Sequence, residues 1–293
     1  MTGARLAPAK VNLFLHVGPL APDGFHPIAS WMVFADIGDT LILERADAWS
    51  VAVTGPFAAA IGEGENLVSS AARRLFRQAR VEPPAARLVL DKQLPVAAGL
   101  GGGSSDAAAA LRLLNAALPR PLAEVELAAI AAELGADGPA CLTARPVLAT
   151  GRGERLGPAP VTPPLPAVLA NPGRPSSTAA VYAAYDRGPA ASADVPPLPG
   201  RLVDAGEAAQ VLAATRNDLE RPACTLEPSI TGVLEALRAQ PETLFARMSG
   251  SGASCFALCA DMAAAEALAA RLGAAHPGWW VRPCRLENVI TNL

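Results

Sequence analysis

The sequence predicts an α+β chain folded as two domains. Three observations carry that prediction. At 293 residues the chain is long enough for more than one hydrophobic core. Segments of strand and helix character alternate along it instead of collecting into separate blocks. A proline-rich stretch, "GPAPVTPPLP" at 157–166, interrupts them near the middle, and a strand–helix–strand–strand–helix–strand order follows, as in ferredoxin-like folds. The expected division is 1–156 and 165–293.

Taken in order, "AKVNLFLHV" (9–17) alternates in polarity and reads as a strand with one buried face. "APDGFHP" carries an Asp-Gly turn signal, and "IASWMVFADI" and "DTLILERA" read as two further strands. In "NLVSSAARRLFRQAR", Leu67, Ala71 and Leu75 with Val68, Ala72 and Phe76 form one helical face, and Asn66 is the expected N-cap. "AARLVLDKQL" gives a strand with Lys92 expected as a solvated residue near its end. Helices are expected from Ser104 to Ala117 and over "LAEVELAAIAAEL", the latter stopped by Gly135. Beyond the prolines, "PAVLAN", "TLFARMS", "SCFALC" and "WWVRPCRLENVI" read as strands. "SSTAAVYAAYD", "TLEPSITGVLEALRAQ" and "DMAAAEALAARLG" read as helices, and "GPAASADVPPLPG" (188–200) as an exposed loop.

Composition narrows the function classes. A formal net charge of −3 offers no basic field for nucleic acid or an anionic membrane. No apolar run reaches membrane-spanning length, and "MTGARLAPAKVN" lacks a signal-peptide core. Five cysteines without a CxxC pair and three scattered histidines argue against zinc and for free thiols in a reducing cytoplasm. Of 24 basic residues only Lys10 and Lys92 are lysines. Against so arginine-rich a background, a lysine hints that a compact ammonium is wanted.

The chemistry concentrates in "LPVAAGLGGGSSDAAAALRLLN" (94–115). The run is neither a P-loop, lacking the Gly-Lys-Ser/Thr, nor a dinucleotide fingerprint. Closely spaced glycines followed by two serines at a helix start let backbone N–H groups converge where the helix end is positive. Such a place suits a polyanion, most simply a nucleoside triphosphate, with Ser104 and Ser105 hydroxyls for phosphate oxygens or hydrated magnesium. "PAKVNLFLHV" sets Lys10 and Asn12 on one strand face, and "RMSGSGASCFAL" adds a second close-approach loop at Gly250 and Gly252.

These three segments, in this order, resemble the GHMP small-molecule kinases. With "DGFHPIASWMVFADIGD", "LGADGPACL" and "RNDLE", the resemblance runs from Pro8 to Ala257. It is closest to the branch that phosphorylates the 2-hydroxyl of a cytidine-diphosphate-linked methylerythritol in the non-mevalonate isoprenoid route. It implies an N-terminal ATP-binding half like ribosomal protein S5 domain 2, a ferredoxin-like C-terminal half, and an active site in the cleft between them. It also implies that Lys10 and Asp137 are catalytic, with Asp137 taking the hydroxyl proton. ATP, accompanied by Mg2+, is expected on Asn66 and on Pro95, Val96, Ala97, Ala98, Gly99, Leu100, Gly101, Gly102, Gly103, Ser104 and Ser105. The substrate is expected on Asn12, Phe25, His26, Thr178, Tyr182, Gly250 and Gly252, with Ser249 beside the last two. No side chain is marked as a metal ligand. Tyr185 competes with Tyr182 to cover the base, and Asn217 and Asp218 are read as interface structure.

Two positions depart from the branch. Phe25 stands where tyrosine is usual, keeping the stacking face and losing the hydroxyl. Gly138 follows Asp137 where an apolar residue is usual, and is expected to loosen the backbone. The rival readings are another GHMP kinase, of mevalonate or homoserine type, and a catalytically silent nucleotide-binding regulator. "DGFH" disfavours the first and the paired Lys10 and Asp137 the second. No nucleic-acid or membrane partner is expected, and the state is monomer or homodimer.

Overall fold

The structure, a computed structural model, describes residues 2–62 and 66–287. The last part of the expected final strand, 288–290, lies outside them. The first half comprises β1 (Gly3–Val17), β2 (Ile28–Arg45), β3 (Ser50–Thr54), α1 (Leu67–Ala79), β4 (Ala86–Asp91), α2 (Gly102–Ala116), α3 (Glu124–Leu134), α4 (Gly138–Thr143), β5 (Val147–Gly151) and β6 (Arg155–Pro158). The second comprises β7 (Leu165–Asn171), α5 (Thr178–Tyr185), α6 (Ala205–Ala213), α7 (Glu220–Leu226), α8 (Ser229–Arg238), β8 (Phe245–Met248), β9 (Cys255–Leu258), α9 (Met262–Ala275) and β10 (Trp280–Glu287).

The two strands expected between residues 28 and 46 are one bent strand, β2. Near its middle the register against β1 shifts from Pro8↔Gly38 to Lys10↔Phe34. The backbones touch there: a Cβ on Gly38 would lie 2.1 Å from the carbonyl oxygen of Ala7. Glycine therefore marks a close crossing and a bend, where the sequence pattern suggested a break.

The expectation of one buried face on β1 is also corrected, because every residue from Ala7 to Val17 is buried. Helix α2 packs on β1, and Ala9, Val11 and Leu13 join a second apolar cluster with β7 and β9 residues such as Leu169 and Phe256. A bulge at Leu13, between the Asn12↔Met32 and Phe14↔Trp31 pairs, puts Leu13 and Phe14 in the same cluster. The alternation is thereby reset, and His16 follows Phe14, its ring 4.9 Å away.

Asn66 caps α1, accepting from Ser69 N at 2.9 Å. Val68, Ala71, Ala72, Leu75 and Phe76 are buried as expected, whereas Leu67 is exposed at the helix start. Helix α2 begins two residues earlier than expected, at Gly102, and Gly135 terminates α3.

In the second half the sheet order is β10-β7-β9-β8, all antiparallel. Numbered within that half it reads 4-1-3-2, the ferredoxin-like arrangement, with α5 to α8 in the first crossover and α9 in the second. The halves share one sheet: β10 also pairs with β2, Leu286 opposite Ala35 and Glu287 opposite Phe34. The prolines at 157–166 thus separate β6 from β7 without dividing the sheet. All five cysteines are free.

Candidate active site

Between the halves lies a cleft of about 1850 Å³. That exceeds the usual volume for a single small ligand, roughly 300–1000 Å³, and gives room for two.

At its centre Lys10 Nζ donates to Asn12 Oδ1 at 2.6 Å and pairs with Asp137 Oδ2 at 3.0 Å. The ammonium is buried while the Asp137 side chain is 31% exposed, so the couple opens to the cleft on the carboxylate side. Asn12 is oriented in turn: its Nδ2 donates to Ser30 Oγ at 2.7 Å, and that hydroxyl donates to Phe14 O at 2.6 Å. Asp137 sits at the position before α4, but its side chain caps nothing. Its partner is Lys10.

Gly138 is corrected from a loosening residue to a tightly packed one. It is buried, and a Cβ there would lie 2.0 Å from Ala131 O, so only glycine lets α4 approach α3 this closely. The contact fixes the segment that carries Asp137.

The glycine-rich run wraps this centre. Lys10 N donates to Leu100 O at 2.8 Å, and a Cβ on Gly101 would lie 3.0 Å from Lys10 Cε and 3.8 Å from Asp137 Oδ2. Gly101 is also the N-cap of α2, with φ +61°. Gly99, φ +74°, serves another purpose: a Cβ there would lie 2.3 Å from Ser249 O. The two close-approach loops lean on each other, joined by Ser249 Oγ donating to Gly99 O at 2.9 Å and accepting from Asn12 N at 3.1 Å.

Residues 95–99, Gly101, Gly102, Gly103 and Ser104 line the cleft. Leu100 and Ser105, expected there too, do not: both side chains are buried, Leu100 in the second apolar cluster and Ser105 beside Cys141 on the inner side of the first turn of α2. At the far end of this run, Asn66, Leu67 and Val68 close the cleft with Ile61.

Beneath the run lies a cluster that sequence reasoning missed. Lys92, expected to be solvated, is buried and ion-paired to Asp39 and, at 2.8 Å, to Asp106. Asp39 Oδ1 also accepts from Gln93 N at 2.6 Å and Leu94 N at 2.8 Å. One ammonium therefore ties the end of β4, the bend of β2 and Asp106 near the start of α2. Burial pushes the Asp106 carboxyl up to about 8, against the pull of Lys92. The Lys92 ammonium goes up as well, its burial outweighed by the two carboxylates. The scarcity of lysine was the one signal that could have found it.

At the other end Phe25 is 52% exposed, with the Arg152 guanidinium 4.1 Å over its ring. His26 is engaged at both ring nitrogens, Nδ1 with Gly18 O at 2.9 Å and Nε2 with Asp186 Oδ1 at 3.3 Å. Its ring lies 5.1 Å from that of Tyr182. Tyr182 lines the cleft, and burial pushes its hydroxyl up to about 12. Tyr185 is committed elsewhere, donating to Val17 O and accepting from Ala191 N. Thr178 Oγ1 meets Ser251 Oγ at 2.8 Å. Gly250 lines the cleft, but Gly252 lies behind it, where a Cβ would meet Met248 Sδ at 2.7 Å; that close packing removes it from the substrate side. Asn217 donates to Met248 O and Gly250 O, and Asp218 accepts from Val17 N, binding this loop to β1.

Comparison with known proteins gives this geometry its family. Residues 66–145 match the GHMP kinases N terminal domain, and 195–278 match the GHMP kinases C terminal domain. The 4-diphosphocytidyl-2-C-methyl-D-erythritol kinase of Caulobacter vibrioides (strain NA1000 / CB15N) is 58% identical over 288 residues, covering 97% of this chain and 99% of the relative. A crystal structure of 4-(cytidine 5'-diphospho)-2C-methyl-D-erythritol kinase superposes with TM-score 0.77 at 35% identity, covering 97% of this chain and 99% of that one. Homoserine kinase from Cytophaga hutchinsonii, TM-score 0.69 at 18% identity over 98% and 96% of the two chains, shares the fold. The chain belongs to the GHMP kinases, in the family of the 4-diphosphocytidyl-2-C-methyl-D-erythritol kinases.

Proposed function

We propose that this kinase transfers the terminal phosphoryl group of ATP to the 2-hydroxyl of 4-diphosphocytidyl-2-C-methyl-D-erythritol, in the methylerythritol phosphate route to isoprenoids. The observation that carries the reading is the Lys10–Asp137 couple, at 3.0 Å, in the cleft that the amino end of α2, Phe25 and Tyr182 also line. Phosphoryl transfer asks for aligned reactants, charge stabilisation and a home for one proton. Asp137, open to the cleft, orients the acceptor hydroxyl and takes its proton. Lys10 pairs with that carboxylate and stabilises negative charge on the attacking oxygen, and Asn12 fixes the ammonium. The N–H groups at the start of α2 face the triphosphate.

Magnesium would supply neutralisation of phosphate charge. Ser104 is the loop serine whose side chain faces the cleft, a hard oxygen donor suited to that ion or to its water. The adenine end is assigned to Asn66, Leu67 and Val68, and the cytosine to the pocket of Phe25 and Tyr182. The proposed setting is the cytoplasm, where five unpaired thiols stay reduced.

Coupled measurement of ADP release with the cytidyl substrate, mevalonate and homoserine tests the reading. Turnover is expected with the first alone, and comparable turnover with either of the others overturns the assignment. Phe25→Ala is expected to raise KM for the cytidyl substrate by about tenfold while moving KM for ATP less than about twofold, the loss of one stacking face. Equal shifts in both constants would remove Phe25 from the base pocket.

A further inference from the structure

Among the described residues, five side chains able to carry positive charge line the cleft: Lys10, His26, Lys92, Arg152 and Arg155. Lys10 is bound to Asp137 and Asn12, Lys92 is sealed between Asp39 and Asp106, and both nitrogens of His26 are engaged. Arg155 points outward, 79% exposed, with Glu154 at 3.5 Å. Arg152 stands apart from these. Its guanidinium covers Phe25 and pairs with Asp23 at 2.6 Å, both side chains about half exposed, at 49% and 48%.

The hairpin joining β5 to β6 bridges two places in the cleft. Arg152 lies over the aromatic ring assigned to the base. The next residue, Gly153, rests on Ala136, where a Cβ would be 3.6 Å from Ala136 O, immediately before Asp137. A nucleotide-linked polyol with its base at Phe25 and its hydroxyl at Asp137 must carry its diphosphate past this hairpin. We propose that Arg152 is the diphosphate-binding residue of the substrate site, held over Phe25 by Asp23 until the substrate's phosphates replace that carboxylate.

The inference rests on the substrate reading given above. The chemistry favours the exchange. A guanidinium matches phosphate oxygens in a planar fork, and a half-exposed ion pair with a single carboxylate is weak enough to give way to a diphosphate. Stacking over the ring holds the fork near its place without fixing its donors.

Calorimetric titration with cytidine and with CDP, adenylyl imidodiphosphate saturating the other end of the cleft, separates base from phosphate recognition. The wild type is expected to prefer CDP. Arg152→Ala should lose about tenfold or more on CDP and less than about twofold on cytidine, as removal of a charge-assisted fork requires. Asp23→Asn, which keeps an acceptor for Phe25 N and removes the competing charge, should tighten CDP and leave cytidine unmoved. Equal losses on both ligands in Arg152→Ala, or none, overturn the proposal while leaving the substrate reading standing. A wild type that binds neither ligand overturns both.

Discussion

Lys10 and Lys92 are the two lysines of the chain. Both are buried, both are paired with aspartate, and both touch the same glycine-rich run. Their surroundings separate them. Lys10 faces one carboxylate, which opens to the cleft, and an amide that holds it. Lys92 faces two carboxyl groups, Asp39 and Asp106, both buried, the first of which also gathers the backbone N–H groups of Gln93 and Leu94. The first arrangement leaves a carboxylate where a reacting hydroxyl can reach it. The second encloses its charges and joins three chain segments. The same residue types thus serve architecture at Lys92 and are proposed for chemistry at Lys10, and the difference between the two pairs is the exposure of the Asp137 carboxylate.

The sharpest way to break this contrast is at Asp137. Asp137→Asn is expected to lower kcat by about a thousandfold, within the range seen for loss of a positioned base, while a nonhydrolysable ATP analogue binds as before. Near-normal single-turnover rates would take the proton-accepting role away from Asp137. Next in size is Lys92→Met, which strands Asp39 and Asp106 and should destabilise the fold by about 3–5 kcal/mol, read from urea denaturation. Unchanged stability with a raised KM for ATP would make Lys92 a ligand-binding residue and erase the distinction.

The smallest effect concerns pH. The folded-state Asp106 carboxyl lies at about 8, well above its ordinary 3.8. Its contribution is therefore full below about pH 4 and is lost as pH rises towards 8. Asp106→Asn cannot titrate, so its stability loss between pH 6 and 8 should be smaller than that of the wild type by about 2 kcal/mol. Parallel thermal-melting profiles for the two proteins would show that Asp106 does not take up a proton on folding in this range.

How legible each part was depended on the range of the forces involved. The buried face of α1, its Asn66 cap and the stop at Gly135 follow from neighbours a few residues away, and periodicity finds them. The family resemblance rested on short local motifs for the same reason. Lys92 was misread because its partners lie 53 and 14 residues away in sequence, and nothing local shows that Asp39 will face it. Gly138 was misread because the atom that demands glycine, Ala131 O, belongs to a different helix. The unbroken course of β2 and the bulge at Leu13 depend on pairing with β1, a relation between two strands that neither sequence contains alone. In the site itself, loop residues could be named as a run, but the burial of Leu100 and Ser105 required the actual start of α2.

The position of β10 between β2 and β7 bears on how the polypeptide is made. Trp280–Glu287 is translated after every other described element, yet it fills the middle of the sheet. A nascent or nicked product that stops short of Trp280 leaves ladder edges open on both neighbours, a template for intermolecular pairing. Prematurely terminated fragments should collect in inclusion bodies or be degraded, with neither half surviving as an independent domain.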